Sequence, residues 1–353
     1  MKNLKRILFK TMGVPMAALF MLTSFSACTP KENEVKEYTV AESNPINIGM
    51  SFDSFVIERW QRDRDVFVST AKEMGAEVNV QNANGNIEEQ KKQIQYFIEQ
   101  NVDVIVIICI DADTLSEEVK RAKNVGIKVI AYDRIIRDAD LDLYISFDNT
   151  TVGKQMGETL VNAGVGEGSN IVMIGGSLTD YNVPALEEGF IGVMEENKVN
   201  IADQTHCDGW KAEIASEYVY SNMDIISNAD AIMCGNDNIA SKVVAALSEQ
   251  RLAGEIPVTG QDADLEACQR IVEGTQLMTV YKPVDDLAKK AAECAIKLAR
   301  NEDIGAELTM NNGSFDVPYI SLTPIPVTAD NIDEVIINSG FHTKEDVYLN
   351  VTE

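Results

Sequence analysis

Short apolar segments alternate with longer amphipathic segments along most of the chain. In its first part the pattern predicts strands over 46–53, 77–80, 102–110 and 127–133, with helices over 59–74, 87–99 and 114–124. After Asp148 it restarts, with strands over 170–175, 199–204, 229–234, 256–259 and 277–281 and helices over 151–162, 184–197, 211–222, 239–249 and 265–273. Alternation of this kind predicts an α/β fold with parallel sheets and right-handed crossovers.

The last part of the chain is too short for a domain of its own. A helix over 284–300 and an extended segment over 320–327 would complete the two earlier units. The chain would then cross between two lobes near Asp148-Asn149, Lys282-Pro283 and Leu322-Pro324, and three such connections make a hinge. We predict two Rossmann-like lobes with parallel sheets and a three-strand hinge. The predicted lobes are 46–148 plus 284–321, and 149–283 plus 322–353.

In the stretch 127–150 one apolar strand ends at Asp133-Arg134, and a second strand is predicted to follow almost at once and to end at Asp148-Asn149. Residues 129–132 are apolar on both faces, which is typical of an interior strand of a parallel sheet. Asp133 and Arg134 follow at its carboxyl end, where ligands collect in such sheets. A carboxylate beside a guanidinium forms strong hydrogen bonds to neighbouring hydroxyls of one polar ligand. We predict that both residues bind a ligand; a local ion pair that closes a turn is the alternative.

The amino terminus differs from the rest of the chain. Basic residues precede an apolar run over 12–27 that is too short to span a bilayer comfortably, which predicts an export signal over 1–27. Small residues before Cys28 resemble the bacterial lipobox, in which the cysteine is lipidated; an ordinary cleaved signal is the alternative. Residues 28–45 are polar and aperiodic, which indicates a tether. We expect an exported protein, lipid-anchored to the cell membrane and facing the periplasm or exterior.

The remaining chain is strongly acidic. Without residues 1–27 it has 26 Lys and Arg against 56 Asp and Glu, a net charge of −30. Such a charge excludes nucleic acid as a partner and favours solubility. We expect a monomer.

The cysteines and histidines do not indicate catalysis or a metal site. Five cysteines follow Cys28, an odd number without CxxC spacing. We therefore expect buried free thiols at Cys109, Cys207, Cys234, Cys268 and Cys294. His206 and His342 are the only histidines, which weakens any zinc or histidine-based proposal. The glycines of 164–168 precede a strand rather than follow one, so they predict no nucleotide cofactor. Asp138, Asp140 and Asp142 lack the Gly and Glu of a calcium loop.

Polar and aromatic residues recur at the predicted strand ends of both lobes. Flat aromatic faces surrounded by acids, amides and bases suit a monosaccharide, because each hydroxyl both donates and accepts hydrogen bonds. Each residue taken alone could be a helix cap or turn former, but together they favour a cleft. The candidates are Arg59, Trp60, Asp133, Arg134, Asp180, Asn182, Trp210, Asn236, Asp262 and Lys282.

Several motifs make the likeness to a known family specific. They are ERWQRDRD (58–65), QNANGN (81–86), AYDR (131–134), YISFDN (144–149), GQDADL (260–265), GTQLMTVYKP (274–283) and NNGSFDVP (311–318). Over 46–343 the chain resembles the D-xylose-binding proteins of bacterial ABC sugar importers, within the type I periplasmic binding protein superfamily. The resemblance implies that the ten candidates contact a sugar, with Trp60 and Trp210 packing on its ring. The loop 109–113 departs from the family, which often has a Pro and uncharged polar residues there.

The resemblance implies a function without chemistry. We expect a sugar-binding lipoprotein that closes two lobes around a pentose, with D-xylose the expected one, and delivers it to an ABC permease. A rival is a sensor that presents its closed form to a chemotaxis or two-component receptor. An enzyme is a weaker third possibility, and recovery of unchanged sugar from the complex would dismiss it.

Overall fold

The structure, a computed structural model, describes residues 45–351, which contain thirteen strands and eleven α-helices. The strands are β1 (Ile46–Phe52), β2 (Ala76–Asn82), β3 (Val104–Ile107), β4 (Lys128–Tyr132), β5 (Leu143–Phe147), β6 (Asn170–Gly175), β7 (Asn200–His206), β8 (Ala231–Cys234), β9 (Val258–Gln261), β10 (Met278–Tyr281), β11 (Leu308–Asn311), β12 (Asp316–Leu322) and β13 (Ile325–Val327). The helices are α1 (Arg59–Glu73), α2 (Ile87–Glu99), α3 (Ser116–Asn124), α4 (Asn149–Asn162), α5 (Asn182–Glu196), α6 (Glu213–Ser221), α7 (Met223–Ile226), α8 (Asp237–Glu249), α9 (Leu265–Glu273), α10 (Val284–Ala299) and α11 (Lys344–Val347).

The strands form two sheets. One has the order β11-β12-β5-β4-β3-β1-β2 and the other the order β13-β10-β9-β8-β6-β7. We call the first sheet with α1, α2, α3 and α10 lobe 1, and the second sheet with the other helices lobe 2, because those helices pack on those sheets. The predicted α/β class with two helix-covered sheets is confirmed.

The sheets are mostly parallel as predicted, with one antiparallel strand pair at an edge of each. β11 pairs antiparallel with β12, and β13 pairs antiparallel with β10. β11 was not predicted, because its mostly exposed residues lack an apolar pattern, and the short loop that joins it to β12 permits only an antiparallel hairpin. β13 begins three residues after β12 ends, so the chain enters the second sheet from the side at which β10 ends.

The chain passes between the lobes at three points. These are the links from β5 to α4, from β10 to α10, and from β12 to β13. Leu322 pairs with Phe147 as the last residue of β12, so it belongs to the first sheet rather than to the second lobe. The other predicted lobe boundaries stay predictions.

Interior strands are buried on both faces. Every residue of β3, β5 and β8 is buried, as expected for parallel strands covered by helices on both sides. Among the described residues Cys109, Cys207, Cys234, Cys268 and Cys294 are buried free thiols, which confirms the prediction made for them. Burial also raises the pKa of Cys207 to about 11. These thiols serve as small apolar side chains of the core.

Candidate functional site

One cavity between the two sheets is lined by all ten residues predicted from the sequence. Nine of them are buried and Asn182 is half-buried. By position, Arg59 and Trp60 begin α1 after β1, Asp133 and Arg134 follow β4, Asp180 and Asn182 follow β6, Trp210 follows β7, Asn236 follows β8, Asp262 follows β9, and Lys282 follows β10. The carboxyl ends of strands from both lobes therefore meet at this cavity. The role of these residues in binding stays a prediction.

Arg59 is the centre of one network of ion pairs. Its Nη1 lies 2.9 Å from Asp133 Oδ2 and 3.8 Å from Asp262 Oδ1, and its Nη2 lies 3.1 Å from Asp63 Oδ1. Lys282 Nζ lies 2.9 Å from the same Asp262 Oδ1. Because Arg59 and Asp133 belong to lobe 1 and Asp262 to lobe 2, the network joins the lobes across the cavity.

Arg134 makes a second connection between the lobes. Its Nη1 lies 2.8 Å from Asp53 Oδ2 in lobe 1, and its Nε lies 2.7 Å from Asp180 Oδ2 in lobe 2. Its Nη1 also donates to the carbonyl oxygen of Cys109 at 3.2 Å. A planar guanidinium holds several acceptors in fixed directions, so Arg134 orients carboxylates of both lobes.

The carboxylates of the cavity differ in their pKa. Burial raises the pKa of Asp133, but the charges of Arg59, Lys282 and Arg134 outweigh it, so this pKa lies below its ordinary value. Burial raises the pKa of Asp180, and here Arg134, the Asn182 amide and Lys282 together do not offset it, so this pKa lies above its ordinary value. Asp133 is therefore a firmly ionised acceptor, since it is surrounded by three cations.

Three candidate residues have a left-handed backbone that residues other than glycine rarely adopt. The φ angles are 64° at Asp133, 58° at Trp210 and 98° at Asp262. At Asp133 the conformation is held by its carbonyl oxygen, which accepts from Ser146 Oγ at 2.7 Å and from Tyr144 Oη at 3.2 Å. Such strain persists only where surrounding contacts impose it, and it is found at functional sites more often than elsewhere.

Hydrogen-bond donors remain free in the cavity. Within residues 45–351, Nε1 of Trp60, Nε1 of Trp210 and Nδ2 of Asn236 are buried without a hydrogen-bond partner. Oδ1 of Asn236 caps α8 by accepting from the Ile239 amide at 2.9 Å, which leaves the amide nitrogen for another partner. Buried donors are normally satisfied, so these three atoms are suited to a polar ligand.

The cavity is also lined by five residues that were not predicted from the sequence. They are Ile57, Asn149, Val183, Leu186 and Gln261. Asn149 begins α4 and Gln261 ends β9, so both share the strand-end placement of the predicted residues. That placement was a usable signal for these two. The three apolar residues carried no such signal, because an apolar side chain is ordinarily part of a core.

The ten predicted residues combine three cations with three carboxylates. The formal charges of these ten balance, and Asp53 and Asp63 add two carboxylates to the same networks, so the cavity suits an uncharged ligand with many hydroxyls better than an acid or a phosphate. Within residues 45–351 no group of three or more His, Cys, Asp and Glu side chains could hold a metal ion.

The divergent loop 109–113 contacts lobe 2. The Ala112 amide donates to the Thr179 carbonyl oxygen at 3.0 Å, and Thr179 Oγ1 donates to the Ile110 carbonyl oxygen at 3.3 Å. These bonds join the two lobes directly beside Asp180, which lines the cavity.

Two α/β lobes that share one polar cavity at their strand ends define a solute-binding protein. The chain belongs to the periplasmic binding protein domain family, whose model matches residues 48–303. It is a binding protein rather than an enzyme.

Relatives and solved structures agree with this membership. The chain is 44% identical over 313 residues to a D-xylose-binding periplasmic protein of Haemophilus influenzae, and 43% identical over 312 residues to one of Escherichia coli. Each alignment covers 87% of this chain and 94% of the relative. A solute-binding protein of an ABC transporter from Clostridium phytofermentans, crystallised with β-D-glucose, has a TM-score of 0.77 at 26% identity, covering 85% of this chain and 99% of its own. The resemblance to D-xylose-binding proteins is confirmed.

The family is one of exported proteins, which agrees with the predicted export. No helix within residues 45–351 is long and apolar enough to cross a membrane. Cys28, the predicted signal and residues 28–44 of the predicted tether lie outside the described residues.

Proposed function

We propose that the protein captures D-xylose between its two lobes and delivers it to an ABC permease. The observation that carries the proposal is that one cavity between the sheets is lined by all ten predicted residues, which come from both lobes. Relatives named as D-xylose-binding proteins, at 44% and 43% identity over most of both chains, support the choice of sugar.

The cavity supplies what a pyranose requires. Asp133, Asp180 and Asp262 offer acceptors, while Asn236 and the two indoles offer free donors. The indole faces suit the C–H faces of the ring. In a closed polar cavity each unmatched buried group costs about 1–3 kcal/mol. A sugar with an additional hydroxymethyl arm, or with one hydroxyl moved, leaves such groups unmatched.

The sugar is tested by titration calorimetry against a panel of pentoses and hexoses. D-xylose is expected to bind at least about tenfold tighter than ribose or glucose, which corresponds to roughly 1.4 kcal/mol. Asp262→Ala should remove most of that preference, because Lys282 and Arg59 would lose a buried acceptor. Asp330→Ala, a change at an exposed carboxylate, is the control and should bind as wild type does. Glucose or ribose binding as tightly as xylose would overturn the proposal.

Delivery requires that sugar closes the lobes. A ligand shifts a conformational equilibrium only through contacts that differ between the two states. The Arg59 and Arg134 networks contain carboxylates of both lobes, so one sugar placed among them contacts both. The closed form is then the one that a permease can distinguish.

We further propose that Cys28 carries a lipid that anchors the protein to the membrane. The support is sequence alone, namely Ser26-Ala27-Cys28 after an apolar run. The expressed full chain should fractionate with membranes, and Cys28→Ser should release or mislocalise it. Cys294→Ser, at a buried thiol, is the matched control. A wholly soluble wild-type protein with an unmodified amino terminus would reject the anchor.

A further inference from the structure

A buried carboxylate lies behind the cavity without lining it. Asp237, the first residue of α8, is fully buried. Its Oδ1 accepts from Gln276 Nε2 at 2.9 Å, and its Oδ2 accepts from Thr279 Oγ1 at 2.7 Å and from the Asp264 amide at 3.1 Å. All three partners donate, so their geometry favours the ionised carboxylate as an acceptor, while burial raises its pKa to about 7.

These bonds hold the turn that carries Asp262. Asp262 and the next residue, Ala263, both have left-handed backbones, with φ of 98° and 55°. The Ala263 amide donates to Thr279 Oγ1 at 3.1 Å, and that hydroxyl in turn donates to Asp237. The Asp264 amide donates to Asp237 directly. Two successive amides of an unfavourable turn are thus tied to one carboxylate, which stabilises the turn against relaxation.

The neighbours of Asp237 leave no room to rearrange. A Cβ on Gly260 would lie 2.1 Å from Asp237 Oδ1, so the strand passes directly against the carboxylate. The amide of Gln276 cannot flip, because its Oε1 accepts from Arg270 Nε at 2.9 Å and its Nε2 also donates to the Met278 carbonyl oxygen at 3.0 Å. In Asp237→Asn, the side-chain NH₂ group would therefore face the Gln276 side-chain donor or the Asp264 amide, whichever way the new amide is turned.

We propose that Asp237 is a positioning residue for the ligand: it keeps the turn Asp262–Ala263 in the conformation that directs the Asp262 carboxylate into the cavity. The inference rests on the proposed sugar-binding function. Asp237 touches no ligand, and its effect on binding passes through Asp262. Asp237 also links the first residue of α8 to β10 through its hydrogen bond from Thr279 Oγ1.

The test compares Asp237→Asn with Asp203→Asn. Asp203 is also a hydrogen-bonded carboxylate, which accepts from Tyr218 Oη at 2.6 Å and from the Gln204 amide at 2.9 Å, but it lies on the edge strand β7, away from the turn. In the protein without sugar, hydrogen exchange of the Ala263 and Asp264 amides should accelerate in Asp237→Asn and not in Asp203→Asn. This measurement does not depend on which sugar binds.

Affinity is then measured in a double-mutant cycle with Asp262→Ala. Asp237→Asn alone should weaken D-xylose binding by at least about tenfold, as expected when buried donors lose their acceptor. In the Asp262→Ala background the same change should have little further effect. Equal losses in both backgrounds, or unchanged amide exchange, would overturn the proposal.

Two further arms keep the outcomes separate. If Asp237→Asn does not fold, Thr279→Val is used in its place, because it removes the hydroxyl that accepts from the Ala263 amide. It should weaken binding in the wild-type background and have little further effect in the Asp262→Ala background. If wild-type protein does not bind D-xylose, the proposed function fails, whereas the exchange measurement still decides whether Asp237 holds the turn. The cycle is then repeated with the sugar of the panel that does bind.

Discussion

A substitution at Gly176 provides the sharpest test of the cavity, because the indole of Trp210 occupies the space that a larger side chain at this position would need. A Cβ at this position would lie 2.2 Å from Cη2 of the indole and 2.5 Å from both Cζ2 and Cζ3. Ordinary contact begins at 3.4 Å. In Gly176→Ala the ring must therefore move by roughly 1 Å or more, or the backbone must give way.

The backbone around the indole has little freedom to adjust. Trp210 has a φ of 58°, and its amide donates to the Cys207 carbonyl oxygen at 2.9 Å. The Gly209 amide donates to Ser177 Oγ at 3.0 Å. Overpacking of a well-packed site costs about 1–3 kcal/mol. If about half of that falls on the bound state, sugar affinity drops by about twofold to tenfold, or roughly 0.5–1.4 kcal/mol.

Calorimetry measures the affinity, and tryptophan fluorescence reports the ring itself. The chain has two tryptophans, Trp60 and Trp210, and both line the cavity, so their emission reports on the site. Gly192→Ala is the matched control in the same lobe, because no atom outside its own helix backbone and its chain neighbours lies within 4 Å of its Cβ position. It should bind as wild type does and gain about 0.5–1 kcal/mol in helix stability. Wild-type affinity with unchanged emission in Gly176→Ala would refute the reasoning.

Three further predictions concern charge and closure. Arg134→Lys should weaken sugar binding at least about tenfold in calorimetry, because one ammonium cannot replace the bonds to both Asp53 and Asp180; unchanged affinity would contradict this. The lowered pKa of Asp133 contributes stability that is present above the unfolded carboxyl pKa of about 4 and is lost as the pH falls through the folded value. Denaturant titrations should therefore show the difference in unfolding free energy between wild type and Asp133→Asn shrinking below about pH 4, and a pH-independent difference would argue against it. Small-angle scattering should show a smaller radius of gyration with saturating sugar, and an unchanged radius would exclude closure.

The local pattern predicted most elements of the fold. Helix 87–99 and strand 170–175 have the predicted bounds, and most other elements differ from prediction by a few residues at their ends. Hydrophobic periodicity depends only on neighbours in the chain, so it is visible without a structure. β11 is the clear exception, since an exposed edge strand has no buried face to mark it.

The sequence predicted which residues line the candidate site, but not which of them contact each other. Strand-end placement selected ten residues that line one cavity, and it could have selected Asn149 and Gln261 by the same reasoning. Asp53 and Asp63, which pair with the two arginines, were not identified. Asp63 lies within α1 and carried no such signal, whereas Asp53 directly follows β1 and shared the strand-end placement.

The sequence by itself determined the alternation of strands and helices, the two lobes and the strand ends at which polar residues collect. Only the tertiary structure decided which cation meets which carboxylate, that Gly176 makes room for Trp210, and that Asp237 supports the turn at Asp262. The physical reason is the sequence separation over which each kind of interaction acts. Helix and strand patterns repeat over a few residues, whereas these contacts join residues far apart in the chain, and their distances follow from the packing of whole elements.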